Sequence, residues 1–241
     1  MALIRTLFFI LLSISFLDAS SKSIYKNSIE LGASYGSFDG SIMVGKSGNN
    51  LDLKKDLGIK KYKSHLVSIL SSSFKNHKFG IKTSSYSYSG KIKLDKDIIY
   101  NSEKFAKGAL AKSRYDLKWA KLSYRYLINE YISAGADING IEIKSYLNNN
   151  RYKKRELIPS IAIDYNLPIN KELRVLTKYS LTPYGKSRYS DFYGGVALNL
   201  GFKNCSCLNI GYQLISLHIN TPSFKNDARY SGVYLAIKVG F

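Results

Sequence analysis

Few residues in this sequence could supply metal-binding or nucleophilic chemistry. The 241 residues include three histidines and two cysteines, and the cysteines lie close together at Cys205 and Cys207. A zinc site needs a cluster of Cys, His or acidic ligands, and the sequence around this pair offers none. We therefore expect no metal ion and no cofactor. The two cysteines are interpreted as either a strained local disulfide or two free thiols.

Long apolar runs are also scarce, and the one that stands out lies at the N-terminus. Residues 7–17 are largely apolar, Arg5 precedes them, and small residues occupy positions 19–21. This pattern indicates a secretory signal peptide, because the run is too short for a helix that spans a membrane. We therefore expect residues 1–21 to be removed on export and residues 22–241 to form a single domain.

The apolar residues of the remaining chain are dispersed by alternation. In the final stretch, five apolar residues alternate with five small or polar ones, which is the period of a β-strand with two different faces. The apolar positions are Val233, Leu235, Ile237, Val239 and Phe241. The positions between them are Gly232, Tyr234, Ala236, Lys238 and Gly240.

Similar alternation recurs along the chain and predicts an all-β fold. About ten strands can be assigned, and eight is the alternative if a hairpin is lost or two strands merge. They would form an antiparallel up-and-down transmembrane barrel, with long loops at one end and tight turns at the other. A soluble sandwich or lipocalin-like barrel, with its apolar face inward, is the competing architecture. Strands of ten or more residues with small residues on the polar face favour the membrane barrel.

Three local features can also be predicted. The apolar phase shifts between Ile138 and Ile141, which indicates a β-bulge at Gly140. Polar stretches predict loops at 148–151 and at 220–229. The strand before position 220 also changes phase, so the sequence leaves open which way His218 points.

The chain resembles the bacterial outer-membrane β-barrel proteins. Its last strand is similar to the closing strand of that family, whose C-terminal aromatic residue implies an insertion signal for the barrel-assembly machinery. The stretch Leu51–Gly58 resembles a loop after the first strand in a group of small proteobacterial barrels, although two lysines interrupt it here. The segment from Gly211 to Leu235 is similar to the closing hairpin of that group. The resemblance implies the outer membrane of a Gram-negative bacterium, and it implies no catalytic residue.

Charged residues fall on the face that would point into the barrel. A buried charge is tolerated only when it is paired, and the symmetry of the predicted hairpins supplies partners. We therefore predict ion pairs that, with inward-facing Tyr193 and Tyr234, plug a narrow lumen. The predicted pairs are Lys121 with Asp137, Asp164 with Arg174, and Glu30 with Lys238.

Acidic residues are few, 17 against 36 basic ones, which gives a formal net charge of +19. Such an excess can indicate nucleic-acid binding, but export separates the chain from cytosolic nucleic acid and the basic residues are scattered. Many of them lie in or beside the expected long loops, at the height of the phosphates of lipid A. We therefore expect no nucleic-acid partner and a basic outer rim that contacts lipopolysaccharide.

His218 is the one histidine with a catalytic interpretation to weigh. Barrels that remove acyl chains from lipid A use a His and a Ser near the final strands, and Ser216 lies two residues from His218. The nearest acid is Asp227, in the last expected loop, so a rim histidine is the simpler interpretation. We expect a monomer with a structural or surface-interaction role among outer-membrane lipids. The alternatives are a lipid A deacylase and a narrow channel for small solutes.

Overall fold

The computed structural model describes residues 25–59, 62–201 and 206–241, and the expected signal peptide, residues 1–21, lies outside them. Ten long strands in the described part form one closed antiparallel barrel, which confirms the predicted fold class and the count of ten. The barrel strands are β1 (Tyr25–Val44), β3 (Tyr62–Phe74), β4 (His77–Lys93), β7 (Leu110–Leu127), β8 (Ile132–Leu147), β9 (Asn150–Pro168), β10 (Leu173–Leu181), β11 (Ser187–Asn199), β12 (Cys207–Thr221) and β13 (Phe224–Gly240). Three short strands lie in the connections: β2 (Leu51–Asp52), β5 (Ile98–Tyr100) and β6 (Glu103–Phe105).

The barrel is closed by pairing between β1 and β13. Their ladder runs from Ser28 opposite Gly240 to Val44 opposite Phe224, and Asn27 and Phe241 exchange two backbone hydrogen bonds of 3.1 and 3.0 Å beyond it. We call this the turn end of the barrel, and the opposite end the loop end. Pairing of the first and last strands leaves neither of them with a free edge where they meet, as a bilayer requires. Among the described residues, no helix is long and apolar enough to cross a membrane.

The outward face changes from apolar to polar along the strands. On β1, Ile29, Leu31 and Tyr35 are 41–61% exposed near the turn end, and Ser37 and Asp39 follow on the same face. The five residues of the expected insertion signal lie on the same part of the outer surface and are 41–58% exposed. We call this surface the apolar band. A membrane crossing needs about 9–11 residues, whereas β1 has 20, so the loop-end half extends beyond the band.

The interior changes polarity in the opposite sense at the same level. Towards the turn end, the buried inward residues include Glu30, Ser34 and Asp137. Towards the loop end, the interior is a continuous apolar core. The loop-end half is therefore built like a soluble protein, apolar inside and polar outside. Its core includes Phe38, Tyr86, Tyr88, Tyr115, Leu117, Trp119, Ile141, Ile143, Tyr189, Ile215, Leu217 and Tyr230.

The predicted bulge at Gly140 is wrong. Strand β8 pairs with β7 and β9 in unbroken register, with Gly140 opposite Ala120 and Leu157. Asn139 and Ile141 on either side of it are both buried in the interior. The apparent phase shift therefore marks a change in what the interior contains, because the inward face becomes apolar where the outward face becomes polar.

The predicted loops at 148–151 and 220–229 are also wrong. Residues 148–149 alone join β8 to β9, and residues 222–223 alone join β12 to β13. The outward residues of these hairpins are polar, but their inward residues, such as Phe224 and Asn226, are buried. As a consequence, Asp227 lies on β13 and not in a loop.

Two longer connections, residues 45–59 and 94–109, fold over the loop end. Leu51 and Leu57 from the first are buried in the core. The backbone of this connection passes directly over Gly90 on β4. It can do so because Gly90 has no side chain: a Cβ there would lie 2.3 Å from the backbone of Gly58. In the second connection, the Asn101 N–H donates to the Val44 carbonyl at 2.9 Å. Apolar side chains from both connections thus complete the core.

A pair of isoleucines on β8 tests the change in polarity. Ile141 is 4% exposed within the core, whereas Ile138 is 52% exposed on the apolar band. We expect Ile141→Ala to lower the free energy of unfolding by about 2–5 kcal/mol, because it leaves a cavity in a packed core. Ile138→Ala should cost clearly less. Urea unfolding of the barrel in detergent micelles measures both, and equal losses would contradict the assignment of Ile141 to a core.

Candidate functional site

A network of buried charges lies directly beneath the apolar core. Lys121 Nζ is 2.9 Å from the Asp191 carboxylate and 3.5 Å from that of Asp137. Lys82 Nζ also approaches Asp191, at 3.6 Å, and the Gln213 side-chain amide donates to Asp191 Oδ1 at 2.8 Å. Asp191 is therefore shared by two ammonium groups from β4 and β7.

Arg125 continues the network towards the turn end. Its guanidinium donates to both Asp137 oxygens, at 2.6 and 3.3 Å, and its Nε lies 3.3 Å from the Asp164 carboxylate. The Ser180 hydroxyl adds a third donor to Asp137, at 2.8 Å. Such multiple, charge-assisted bonds are what a buried carboxylate needs to remain ionised at low cost.

Aromatic rings form the boundary between this network and the core. Lys82 and Lys121 lie 4.8 and 4.9 Å from the centroid of the Trp119 ring, and Lys121 lies 5.2 Å from that of Tyr189. A cation over an aromatic face is attracted by the ring quadrupole. Cation–π contacts thus join the last polar layer of the interior to the first apolar layer.

The structure places the predicted ion-pair residues differently from the expected register. Asn139 lies opposite Lys121, and Lys178 lies opposite Asp164. The reason is the turns: Asn129 Oδ1 accepts backbone N–H bonds of 2.9 and 2.8 Å at residues 131 and 132, which shifts the centre of the hairpin by one residue. Asn170 makes the equivalent bonds in the next hairpin, so that Arg174 lies opposite Pro168.

Of the three predicted pairs, Lys121 and Asp137 lie within 3.5 Å of each other. Asp164 has Arg125, not Arg174, as its ionic neighbour among the described residues. Glu30 and Lys238 lie opposite each other where the barrel closes, and Glu30 accepts a 2.6 Å hydrogen bond from the Tyr234 hydroxyl.

Asp191 is the member of the network that the sequence reasoning missed. It faces inward two residues before Tyr193, which was expected to face inward. Counting back by two from Tyr193 would have placed the Asp191 carboxylate in the lumen.

A second charged feature lies on the outer wall of the barrel, on β7, β8 and β9, and extends from the edge of the apolar band towards the loop end. We call its outward-facing cations the basic belt: Lys112, Arg114, Lys118, Lys144, Arg151, Lys153 and Arg155. Two carboxylates lie among these seven cations. Glu142 is within 2.8–3.1 Å of Lys144, Lys153 and Arg155, and Asp116 is 2.9 Å from Arg114. Salt bridges thus connect several residues of the belt, and the belt retains a large excess of positive charge.

Ser216 and His218 face outward on β12, so His218 does not point into the lumen. The register places Asp227 opposite His218 and Arg229 opposite Ser216. Among the described residues, no hydrogen bond joins Ser216, His218 and Asp227, and no group of three His, Cys, Asp or Glu side chains could hold a metal ion. Cys207 is a free, half-buried thiol, and Cys205, which would be its partner in the disulfide alternative, lies outside the described residues.

Comparison with known proteins shows the fold. No family model matches the chain, and no curated protein matches its sequence. The solved structure of the outer-membrane protease OmpT from Escherichia coli is similar, with a TM-score of 0.52 and 10% identity over 89% of this chain and 97% of that one. The attachment protein Ail of Yersinia pestis gives a TM-score of 0.37 at 11% identity, over 88% and 98% of the two chains. The toluene transporter TodX of Pseudomonas putida gives 0.37 at 8%, over 95% and 91%. The likeness to OmpT, together with the closed ten-strand barrel, shows that the chain has the fold of an outer-membrane β-barrel.

The charge network gives a direct prediction at Asp191. Asp191→Asn keeps the size of the side chain but removes the carboxylate that Lys82 and Lys121 share, and leaves Lys121 with Asp137 at 3.5 Å. Removing one member of a buried ionic group typically costs about 3–5 kcal/mol of stability. We therefore expect the free energy of unfolding, measured with urea, to fall by an amount of this order. Asp97→Asn is the matched control, because Asp97 pairs with Lys104 on the surface with its side chain 51% exposed. Equal effects of the two changes would show that the network contributes nothing special.

Proposed function

We propose that this outer-membrane barrel has a structural or surface-interaction role, with a basic belt that binds lipopolysaccharide phosphates and a lumen closed to solutes. The observation that carries the proposal is the simultaneous change of polarity on both faces of the barrel wall. It sets an apolar band for lipid below and a polar, charged wall above, with Lys118 and Arg155 of the belt at the border.

The position of the belt supports phosphate binding. On β9, Arg155 occupies the outward position next to Leu157, which is 75% exposed on the apolar band. Arg155 thus lies at the level where acyl chains give way to phosphorylated headgroups. Lys118 on β7 and Arg155 on β9 flank Glu142 in register, and Lys144 on β8 lies 3.1 Å from the same carboxylate. Cations from three neighbouring strands therefore lie around Glu142. Clustered Lys and Arg residues at a membrane surface attract anionic lipid with about 1 kcal/mol each.

The preorganisation of the belt adds to this attraction. The guanidinium groups of Arg114 and Arg151 lie 5.9 and 5.4 Å from the centroid of the Tyr146 ring. Glu142 and Asp116 fix the positions of other cations without neutralising the whole set. Cations that are already held in place lose less conformational entropy when a phosphate binds.

Substitution of two belt cations tests lipopolysaccharide binding. We expect Lys153→Gln combined with Arg155→Gln to weaken binding of purified lipopolysaccharide about thirtyfold, at about 1 kcal/mol for each charge. Surface plasmon resonance at several salt concentrations measures the change. Lys75→Gln combined with Lys171→Gln removes the same charge at the turn end and serves as the control. If both double variants bound equally well, the belt would not be the binding surface.

The packing of the interior supports a closed lumen. The core spans the loop-end half, and the void that remains among Phe38, Trp119, Tyr189 and their neighbours has a volume of about 20 Å³. That is room for about one water molecule. Below the core, the charge network and the edge-on pair of Tyr193 and Tyr234, with ring centroids 5.6 Å apart, occupy the centre.

Electrical recording tests this part of the proposal. We expect the native barrel, reconstituted in a planar bilayer, to show no large, steady conductance, because ions would have to cross a dehydrated apolar core. Incorporation is verified independently by protease protection of the reconstituted vesicles. Steady single-channel openings from native protein would favour the channel alternative.

The proposal assigns no catalytic activity. A hydrolytic site needs a nucleophile and a base in hydrogen-bond contact, and a further group that orients the base. Asp227 lies opposite His218 and supplies an acid that the sequence had not placed there, but Ser216 lies two residues along the strand without a hydrogen bond to either. We further propose that the chain is a monomer that the barrel-assembly machinery inserts by its last strand.

A further inference from the structure

The turn-end half of the barrel contains a cavity of about 120 Å³ below the charge network. A void needs roughly 10–15 Å³ to hold one water molecule, so this cavity has room for several waters or for a small ion. Its charged lining consists of Lys78, Lys82, Lys121, Arg125, Lys178 and Lys238, against Glu30, Asp164 and Asp191.

Within the wall of this cavity, cations occupy directly opposite positions on neighbouring strands. Lys78 lies opposite Arg125, and Lys82 lies opposite Lys121, on β4 and β7. Like charges in directly opposite positions destabilise a sheet. Asp191 offsets the second pair, at 3.6 and 2.9 Å from the two ammonium groups. In the first pair, carboxylates at 2.6 and 3.3 Å contact Arg125, whereas no carboxylate in the described part of the chain forms an ion pair with Lys78.

Three ammonium groups of the lining, each from a different strand, lack an ion-pair partner of this kind among the described residues: Lys78 on β4, Lys178 on β10 and Lys238 on β13. Within the described residues, none of them has a carboxylate within the 4.0 Å of an ion pair. Lys178 lies 5.6 Å from the Tyr193 ring centroid. Each ammonium carries three donors and no acceptor, and like charges that are held close together repel one another.

Glu30 is the one carboxylate of the lining that is not already in an ion pair with the network. It lies opposite Lys238 in register, and Tyr234 donates to it. Three ammonium groups against this single carboxylate leave an excess of two positive charges around the cavity. A doubly charged anion would balance that excess.

We propose that the cavity binds a small oxyanion of the phosphate class, held by Lys78, Lys178 and Lys238. A phosphate dianion offers several oxygens in different directions and can accept from donors on three separate strands at once. This inward-facing site is distinct from the basic belt and does not depend on the role proposed for the belt.

Calorimetry on the native barrel tests the site directly. The protein is held in a glucoside detergent, which is free of phosphate, and titrated with inorganic phosphate at constant ionic strength set by chloride. Glycerol phosphate and lipopolysaccharide, in separate titrations, distinguish a free phosphate or small monoester from a lipid headgroup. We expect saturable binding of inorganic phosphate and a higher midpoint of thermal unfolding in its presence. No heat and no shift relative to chloride would overturn the proposal, and so would binding of lipopolysaccharide alone.

Two substitutions place the binding in the cavity. Lys78→Gln and Lys178→Gln should each weaken phosphate binding about tenfold or more, because each removes a charge-assisted donor. Arg155→Gln on the basic belt is the control and should leave it unchanged. Lys78→Gln should not lower the thermal midpoint in phosphate-free buffer, since it relieves repulsion with Arg125. Unchanged phosphate affinity in folded Lys78→Gln and Lys178→Gln variants would refute the site, and if either variant failed to fold, the titrations of the native protein would decide.

Discussion

Each long strand of this barrel crosses two surroundings, and both of its faces must exchange polarity at one level. Within the bilayer, the outward side chains meet acyl chains, so the polar ones turn inward; beyond it, water surrounds the wall and the apolar ones turn inward. A strand has only two faces, so the exchange must happen on both together. Gly36 and Phe38 on the inner face of β1, beside Tyr35 and Ser37 on the outer face, show it within four consecutive residues.

The buried charges are concentrated at the level of this exchange, where polar side chains in the interior are hardest to solvate. Directly beneath Trp119 and Tyr189, the first polar layer has neither bulk water nor lipid headgroups to solvate it. Asp191 and Asp137 meet that demand by each accepting from two or more cations and a neutral donor. A buried ionic group of this kind contributes little net stability compared with apolar packing, but it is costly to break. It therefore marks the level of the polarity exchange along the barrel axis.

Much of the fold could be predicted from the sequence, because alternation is a local property. The ten strands and the outward set from Val233 to Phe241 follow from period two alone. Alternation shows that two faces differ, however, and not which of them is inside. For that reason the change beyond Ile138 was interpreted as a bulge at Gly140, and the polar outward face around Asp227 as a loop. The ion pairs needed an exact register, which the Asn129 and Asn170 side chains shift by one or two residues at the turns.

The projecting half of the barrel also bears on biogenesis. Its outer wall carries the basic belt, Asp39 and Asp116, yet this wall must pass through the hydrocarbon layer before it reaches the far side. During that passage the charged side chains are unsolvated, and the aromatic and aliphatic residues that later form the core could instead face the acyl chains. Phe38, Tyr115 and Ile215 come from three different strands and meet in one core. That core is therefore complete only when the loop-end halves of these strands have come together on the polar side of the band.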